Sequence, residues 1–354
     1  MASTYLTLTN NVLRDFNEVE LTSSNFGSSR GVQTVVKDYI NRSITDILNS
    51  EMNWPFTRAE GSVDVIAGKQ LYSHASIAST LKYVDYDNMF LKPKNYITNG
   101  DFEIDGTASI TNWTTVSGSP AASSKFGNTL LLTSAEASQE VSDLIVGRSY
   151  VIITQTSGAT LTLEVGTSSG GSQTKSSTLT ISSGNEVLLS ETTFTATATT
   201  HYVSFTEAAG SAAFVKLVEL SEDVASIPLK YLSYEEYNES FRERDSRPDT
   251  DKFADPEYVY TTYNNEIGLT PIPNTSNRTL EFDYYVSHTD LSGATDTSII
   301  PTRFEPVINS RAKYYTHIFR SDVQSAQFSL KEYDDGIKRM RVELLNRKNY
   351  MRAV

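Results

Sequence analysis

The sequence predicts a multidomain α+β protein in which a discontinuous, mostly helical domain with short β-strands and a hairpin is interrupted by an inserted all-β sandwich. Three observations carry this. Both terminal regions show helical apolar periodicity. The stretch from Tyr96 to Glu222 is about a third Ser plus Thr and carries short apolar alternations instead. The first style then returns. Neither flank makes an ordinary domain alone, whereas 1–95 joined to 223–354 does. The plan is therefore a host at 1–95 and 223–354 with a guest at 96–222, since surface loops tolerate such insertions.

The first helix is read over Arg30 to Glu51, where Val32, Val36, Ile40, Ile44 and Ile47 recur at spacings of three and four. Pro55, just past Trp54, marks its stop. GSVDVIAGKQLYS and STLKYVDYDNMFLK are β-branched and aromatic runs and read as short strands. At Pro93 the style changes.

In the guest, Leu161, Leu163 and Val165 alternate with polar residues, as do Leu179 with Ile181 and Val203 with Phe205. Turns such as SSGGSQ and SSGN separate these runs, the pattern of an antiparallel sandwich with one wet and one dry face per sheet. A disordered Ser/Thr linker is the alternative, and the regular alternation argues against it.

After DVASIP, LKYLSYEEYNESFRERDS suggests a short helix and YVYTTYNNEIGLTPIP a hairpin turning at Asn264 and Asn265. RTLEFDYYVS puts Leu280, Phe282, Tyr284 and Val286 on one strand face, with Glu281 and Asp283 on the other. A helix follows in FEPVINSRAKYYTHIFR. Beyond a break near Ser321, Val323, Ala326, Leu330, Tyr333, Ile337, Met340 and Leu344 keep heptad spacing. That seam needs a partner: the Arg30 helix, the Phe304 helix or a neighbouring subunit.

With no Cys among 354 residues, a disulfide framework, a thiolate zinc site and a Cys nucleophile are excluded. The start, MASTYLTLTNNVLRDFNE, lacks a basic and an apolar signal region, and no apolar run reaches the roughly 20 residues that span a bilayer, so a soluble, non-secreted protein without membrane contact is expected. The net charge of −13 argues against general affinity for a phosphate backbone. Much of it lies in the guest, with 4 Lys/Arg against 12 Asp/Glu. The four histidines (His74, His201, His288 and His317) fall in no metal-ligand spacing, and no GxSxG, Walker or dinucleotide-binding pattern occurs. No enzyme activity is expected.

Asp85 and Asp87 would share one strand face, where an acid/base pair or a metal is conceivable and a solvated face is the plainer reading. The segment RERDSRPDTDKFADPE offers Arg242, Arg244, Arg247, Asp249 and Asp251 as ion-pair partners for a neighbouring subunit, or else forms a polar loop. Tyr is abundant, with 20 copies against 2 Trp, and it suits surfaces that meet. Tyr258 and Tyr260 are interface candidates on that ground. After Gly336, Lys338, Arg339, Arg341, Arg347, Lys348 and Arg352 face one acid, Glu343, and either complement a helix C-terminus or dock an acidic partner.

The host segments resemble the head-to-tail adaptor proteins of short-tailed bacteriophages, also called tail tubular protein A or portal-bound ring proteins. The resemblance rests on NEVELTSSNF, RGVQTVVKDYINRSITDI and WPF, then LKYLSYEEY, IGLTPIP and DYYVSHTDLSGATDTSIIPTRFEPVINSRAKYYTHIFR with the long helix after it. It implies a helical-bundle virion subunit of the phage neck, assembled in the bacterial host cytoplasm. Such subunits form a homo-oligomeric, twelvefold ring between the portal and the tail nozzle, through whose lumen DNA passes without sequence-specific binding. Lys338 to Val354 would then be the portal-facing arm. Tail fibres are further possible partners of an outward guest.

The guest departs from that pattern. Its opening ITNGDFE, followed by Trp113, resembles the start of a carbohydrate-binding-module jelly roll. That resemblance implies a possible structural calcium at Asp101 and Glu103, with no other cofactor, and sugar stacking on exposed rings. Trp113, Tyr150 and Tyr202 are the candidates, with Phe126 beside them. A carbohydrate-binding or carbohydrate-cleaving virion protein is the alternative function.

Overall fold

The computed structural model of the chain describes residues 3–180, 187–247 and 253–345. Helix α1 (Tyr5–Asp15) starts at Thr4, whose side chain accepts a hydrogen bond from the Thr7 amide. Helix α2 (Val32–Asn49) starts after Gly31, which holds a left-handed φ of 57° that suits glycine. Then come β1 (Arg58–Asp64), β2 (Leu71–Ser73), the single turn α3 (His74–Ile77) and β3 (Leu81–Pro93).

The guest strands are β4 (Glu103–Ile104), β5 (Thr107–Ala108), β6 (Thr114–Ser117), β7 (Ala121–Ser123), β8 (Thr129–Leu132) and β9 (Ala135–Val141). They continue with β10 (Ser149–Gly158), β11 (Leu161–Gly166), β12 (Lys175–Leu179), β13 (Val187–Thr195), β14 (His201–Glu207) and β15 (Ala213–Glu222). The returning chain forms β16 (Ile227–Pro228), β17 (Lys230–Leu232), α4 (Tyr234–Ser240), α5 (Arg242–Asp245), β18 (Tyr258–Thr261), β19 (Glu266–Thr270), β20 (Arg278–Val286), α6 (Glu305–Phe319) and α7 (Val323–Leu344).

Four helices from the two ends of the chain share one apolar core. Leu8 and Val12 of α1, Val36, Ile40, Ile44 and Ile47 of α2, Ile308 and Ala312 of α6, and Tyr333, Ile337 and Met340 of α7 are buried together around Trp54. The Trp54 indole N–H is satisfied by the Ile47 carbonyl at 2.9 Å. The heptad seam of α7 therefore packs within the subunit, chiefly on α6. Gly336 permits their close approach, because a Cβ there would lie 2.7 Å from Val307 Cγ2. Val323, the first seam position, is exposed.

The host is not mostly helical, and this corrects the expectation from sequence. Strand β3 runs 13 residues and pairs with β20, which also pairs with β1; with β16 they make one four-stranded sheet. A second sheet has the order β17-β18-β19-β2. The two sheets enclose their own core of Val84, Met89, Leu91, Val259, Ile267, Leu269, Leu280 and Phe282. The runs that read as short pieces become a full layer only because β20 closes on β1 and β3 from the far side of the guest. No local signal reports such pairing.

The guest is a sandwich of two five-stranded antiparallel sheets, β13-β10-β15-β8-β7 and β12-β11-β14-β9-β6. Leu161, Leu163, Val165, Leu179, Val203 and Phe205 all point into its core, whose buried members among the described residues run from Ile97 to Leu220, with Tyr96 packed against them. Ile181 lies outside the described residues.

Candidate interaction surfaces

Each cation proposed for the C-terminal arm that can be described lies on α7 itself. Lys338 pairs with Asp335 at 3.1 Å and Arg339 with Glu343 at 2.7 Å, both along the helix. The Arg339 hydrogen bond and charge hold the Glu343 carboxyl below the usual carboxylate range. Arg341 instead turns inward, pairs with Glu51 at 2.6 Å and donates to the Ser50 carbonyl at 3.2 Å. It therefore complements the C-terminus of α2, where a helix presents unsatisfied carbonyls. Arg347, Lys348 and Arg352 lie outside the described residues.

The interface candidates of the returning host divide in the same way. Arg244 is committed inside the subunit, with Nε and Nη2 at 3.1 and 3.0 Å from Asp245 and Nη2 2.7 Å from the Thr270 hydroxyl. Tyr260 is buried and stacks on Tyr237 at 3.7 Å, and burial followed by the Tyr237 contact pushes its hydroxyl pKa far up. Tyr260 is sealed because α4 folds back over the sheet that carries it, and Arg244, on α5, spends its guanidinium on Asp245 and Thr270. Tyr258 is half-buried against Phe241. Arg242 is exposed, with Nη1 3.3 Å from Asn238, and Arg247 pairs with Glu243 at 2.9 Å. Asp249 and Asp251 lie outside the described residues.

Among the described residues the most exposed tyrosines are Tyr263, 79% exposed beside the hairpin turn, and Tyr231, 47% exposed. Tyr263 is braced by an edge contact with Tyr234 at 4.8 Å. Its place before Asn264 and Asn265 was the available signal, since a turn tip leaves its side chains in water.

In the guest, two of three stacking candidates are core residues, which corrects the sequence reading. Trp113 packs between Phe102 and Phe205 and donates its indole N–H to the Asn99 carbonyl at 3.2 Å. Tyr150 is fully buried, and its hydroxyl accepts from the Ile145 amide at 2.8 Å. A ring packed on both faces has none left for a sugar. Tyr202 is half-buried and donates to Glu140 at 2.9 Å, while Phe126 meets Phe214 edge-on. The exposed large apolar residues of the described guest are aliphatic: Ile104, Val116, Val146, Val187 and Leu189.

The outer face of β9 and β14 is also partly covered by the chain itself. The Ser169 hydroxyl lies 2.7 Å from that of Ser138, and the Gly170 amide donates to Ser204 at 3.3 Å. Burial and the nearby Glu164 charge raise the Glu136 carboxyl on this face.

Asp101 and Glu103 line a cleft of about 420 Å³ with Ser124, Asn128, Gln155 and Lys216. Glu103 already accepts from Asn128 at 2.6 Å. Calcium takes six to eight oxygen ligands. Two carboxylates facing an ammonium do not form such a cage, and among the described residues no group of three or more His, Asp or Glu could hold a metal.

Sequence reading missed a polar cleft of about 420 Å³ on the outer face of the β1-β20-β3 sheet, lined by Glu60, Asn88, Phe90 and the ion pairs Arg58–Asp283 and Lys92–Glu281. It opens where β3 leaves register, Met89 facing Phe282 while Asp85 faces Asp283. Asp87 falls in that bulge while Asp85 borders it, so the two do not form a strand-face pair, and the Asp85 carboxylate folds back to accept from the Asp87 amide at 3.2 Å.

Among solved structures, the chain is similar to the enzymatically active domain of bacteriophage CBA120 tailspike protein 4, with 15% identity, TM-score 0.30, and coverage of 36% of this chain and 21% of that one. It is similar to TmCBM61 in complex with beta-1,4-galactotriose, with 20% identity, TM-score 0.29, and coverage of 37% and 99%. A third is the CBM22-1 xylan-binding domain of Paenibacillus barcinonensis Xyn10C, with 11% identity, TM-score 0.29, and coverage of 38% and 97%. Scores at this level establish neither fold nor ligand for this chain. No curated protein matches it. A family model described as SU10 adaptor protein matches residues 178–354, half of the chain, from within the sandwich through α7.

Proposed function

Because the chain belongs to the SU10 adaptor protein family, we propose that it is a structural virion protein joining the phage portal to the tail nozzle. In this reading, copies of the chain form a ring, twelvefold to match the portal, and DNA passes through its lumen. The family match over 178–354 carries the proposal, since it spans three of the four strands of the second sheet (β17, β18 and β19), β20 and the α6–α7 pair. The host keeps a net charge of about −5 once the guest's share is set aside, which suits a wall that does not grip a phosphate backbone. Among the described residues no helix is long and apolar enough to cross a membrane.

The host is residues 1–95 with 223–354, and the inserted sandwich at 96–222 faces outward, because around a lumen it would obstruct DNA. With Trp113 and Tyr150 in its core, it serves fibre or decoration contacts rather than sugar stacking. The C-terminal arm docks the portal through Lys338, Arg339 and the cations beyond the described residues, whereas Arg341 holds α7 to α2. The chain acts without catalysis. Gold-labelled antibody against the chain should mark the neck of the particle. Label confined to fibre tips or to the capsid shell would exclude this role.

A further inference from the structure

Domains joined by two crossings move relative to each other by default unless their contacts are large or specifically tied. Here both crossings are short and fastened. On the way in, Pro93 still pairs with Arg278 of the host sheet, and the Tyr96 amide already donates to Leu220 of the sandwich at 2.8 Å. Only Lys94 and Asn95 lie between. The Lys94 amide donates to the Asn277 carbonyl at 2.9 Å. The Asn95 side chain accepts from the amides of Ile97 and Leu220, each at 3.1 Å.

On the way out, the Asp223 amide donates to Ser149 of the sandwich at 2.9 Å, and Ile227 already pairs with Leu91 of the host. Between them the Ala225 carbonyl accepts from the Arg278 guanidinium at 3.1 Å. Arg278 is nearly buried and lies 3.6 Å from Asp255.

A buried carboxylate locks the two crossings together. Glu222, with a side chain 3% exposed, ends β15 and accepts from Arg148 of the sandwich through one oxygen and from Asn277 of the host through the other. Asn277 is itself buried and is oriented by the Thr275 hydroxyl. A charge taken out of water requires such partners, and loss of either leaves it uncompensated.

We propose that Glu222, Asn277, Arg278 and Asn95 form a rigid clasp that holds the sandwich at one fixed orientation on the host. The clasp does not rest on the adaptor reading. It means that whatever the sandwich meets is presented at a set angle, and that force applied to it reaches the sheet of β3 and β20 directly.

The absence of Cys lets introduced pairs carry spin labels without background. In the full chain, Met52→Cys on the host (66% exposed) and Val146→Cys on the sandwich (56% exposed) are labelled and their separation measured by double electron–electron resonance. One narrow distance distribution is expected. Asn277→Ala with Arg278→Ala should widen it about two-fold or more, as for domains free to hinge. A pair within the sandwich, Val146→Cys with Leu189→Cys, should stay narrow and so report that the sandwich remains folded. Should the double variant unfold, Glu222→Gln keeps the shape while removing the charge and should widen the cross-domain distribution alone. A broad distribution in the chain with its clasp intact would overturn the proposal, and so would a width unchanged by these substitutions.

Discussion

Replacing Asp245 by Ala should free α4 and α5 from the sheet beneath them. The Asp245 side chain is 2% exposed and accepts from Gln70 Nε2 at 2.9 Å, from the Thr270 hydroxyl at 2.8 Å and from Arg244 through two nitrogens. Removal takes one acceptor from each of two neutral donors, the Thr270 hydroxyl and Gln70 Nε2, which keeps only its 3.1 Å bond to the Tyr237 hydroxyl, at about 1 kcal/mol each. Breaking a fully buried ion pair costs about 3–5 kcal/mol, but Arg244 is about one-third exposed and water recovers most of its share, so we add only about 1 kcal/mol. The expected loss is about 3 kcal/mol, and about half of that for Asp245→Asn, which keeps one acceptor. Urea unfolding supplies the total, and hydrogen exchange at the amides of 233–247 shows where it falls. A change within about 0.5 kcal/mol, the scatter of an ordinary surface substitution, would refute the anchoring role.

Gly336→Ala should destabilise the helical core by about 1–3 kcal/mol through the clash with Val307, outweighing a gain of about 1 kcal/mol in helix propensity. Adding Val307→Ala should restore part of the loss in the same urea titration. Trp113→Ala should cost the sandwich about 3–5 kcal/mol in thermal unfolding and act as a core cavity, not as the loss of a sugar platform. Burial alone would raise the Glu207 carboxyl, yet amide donors from Ser134, Ala209, Gly210 and Ser211 prevail and hold it below its ordinary value. A depressed folded pKa stabilises above the unfolded value and loses that contribution as pH falls through the folded one. Melting curves of the chain and of Glu207→Gln should therefore differ most above about pH 5 and converge below the ordinary carboxylate range. A constant gap across that window would contradict the assignment.

Helix α2 was legible because Val36, Ile40, Ile44 and Ile47 form one stripe that only a 3.6-residue period produces. The guest strands were legible for the corresponding reason, with Leu161, Leu163 and Val165 turning inward as period two requires. Periodicity says which residues share a face, but not what covers that face. Tyr258 and Tyr260 alternate alike in sequence, yet only the second is sealed, by Tyr237 on α4. Trp113 and Tyr150 could not be told from surface rings until the two sheets closed. Arg341 read as one of a row of cations, although its partners, Ser50 and Glu51, come from the far end of the chain just past α2. Glu222 carried no motif, and its burial follows from the meeting of the guest strand β15 with the host at Asn277.

Ring formation on the portal is the central claim. Purified chain mixed with purified portal and imaged by electron microscopy should give a ring of copies, one per portal subunit, coaxial with the portal channel and with a sandwich projecting from the outer wall of each. Persistent monomers beside bare portals would contradict it.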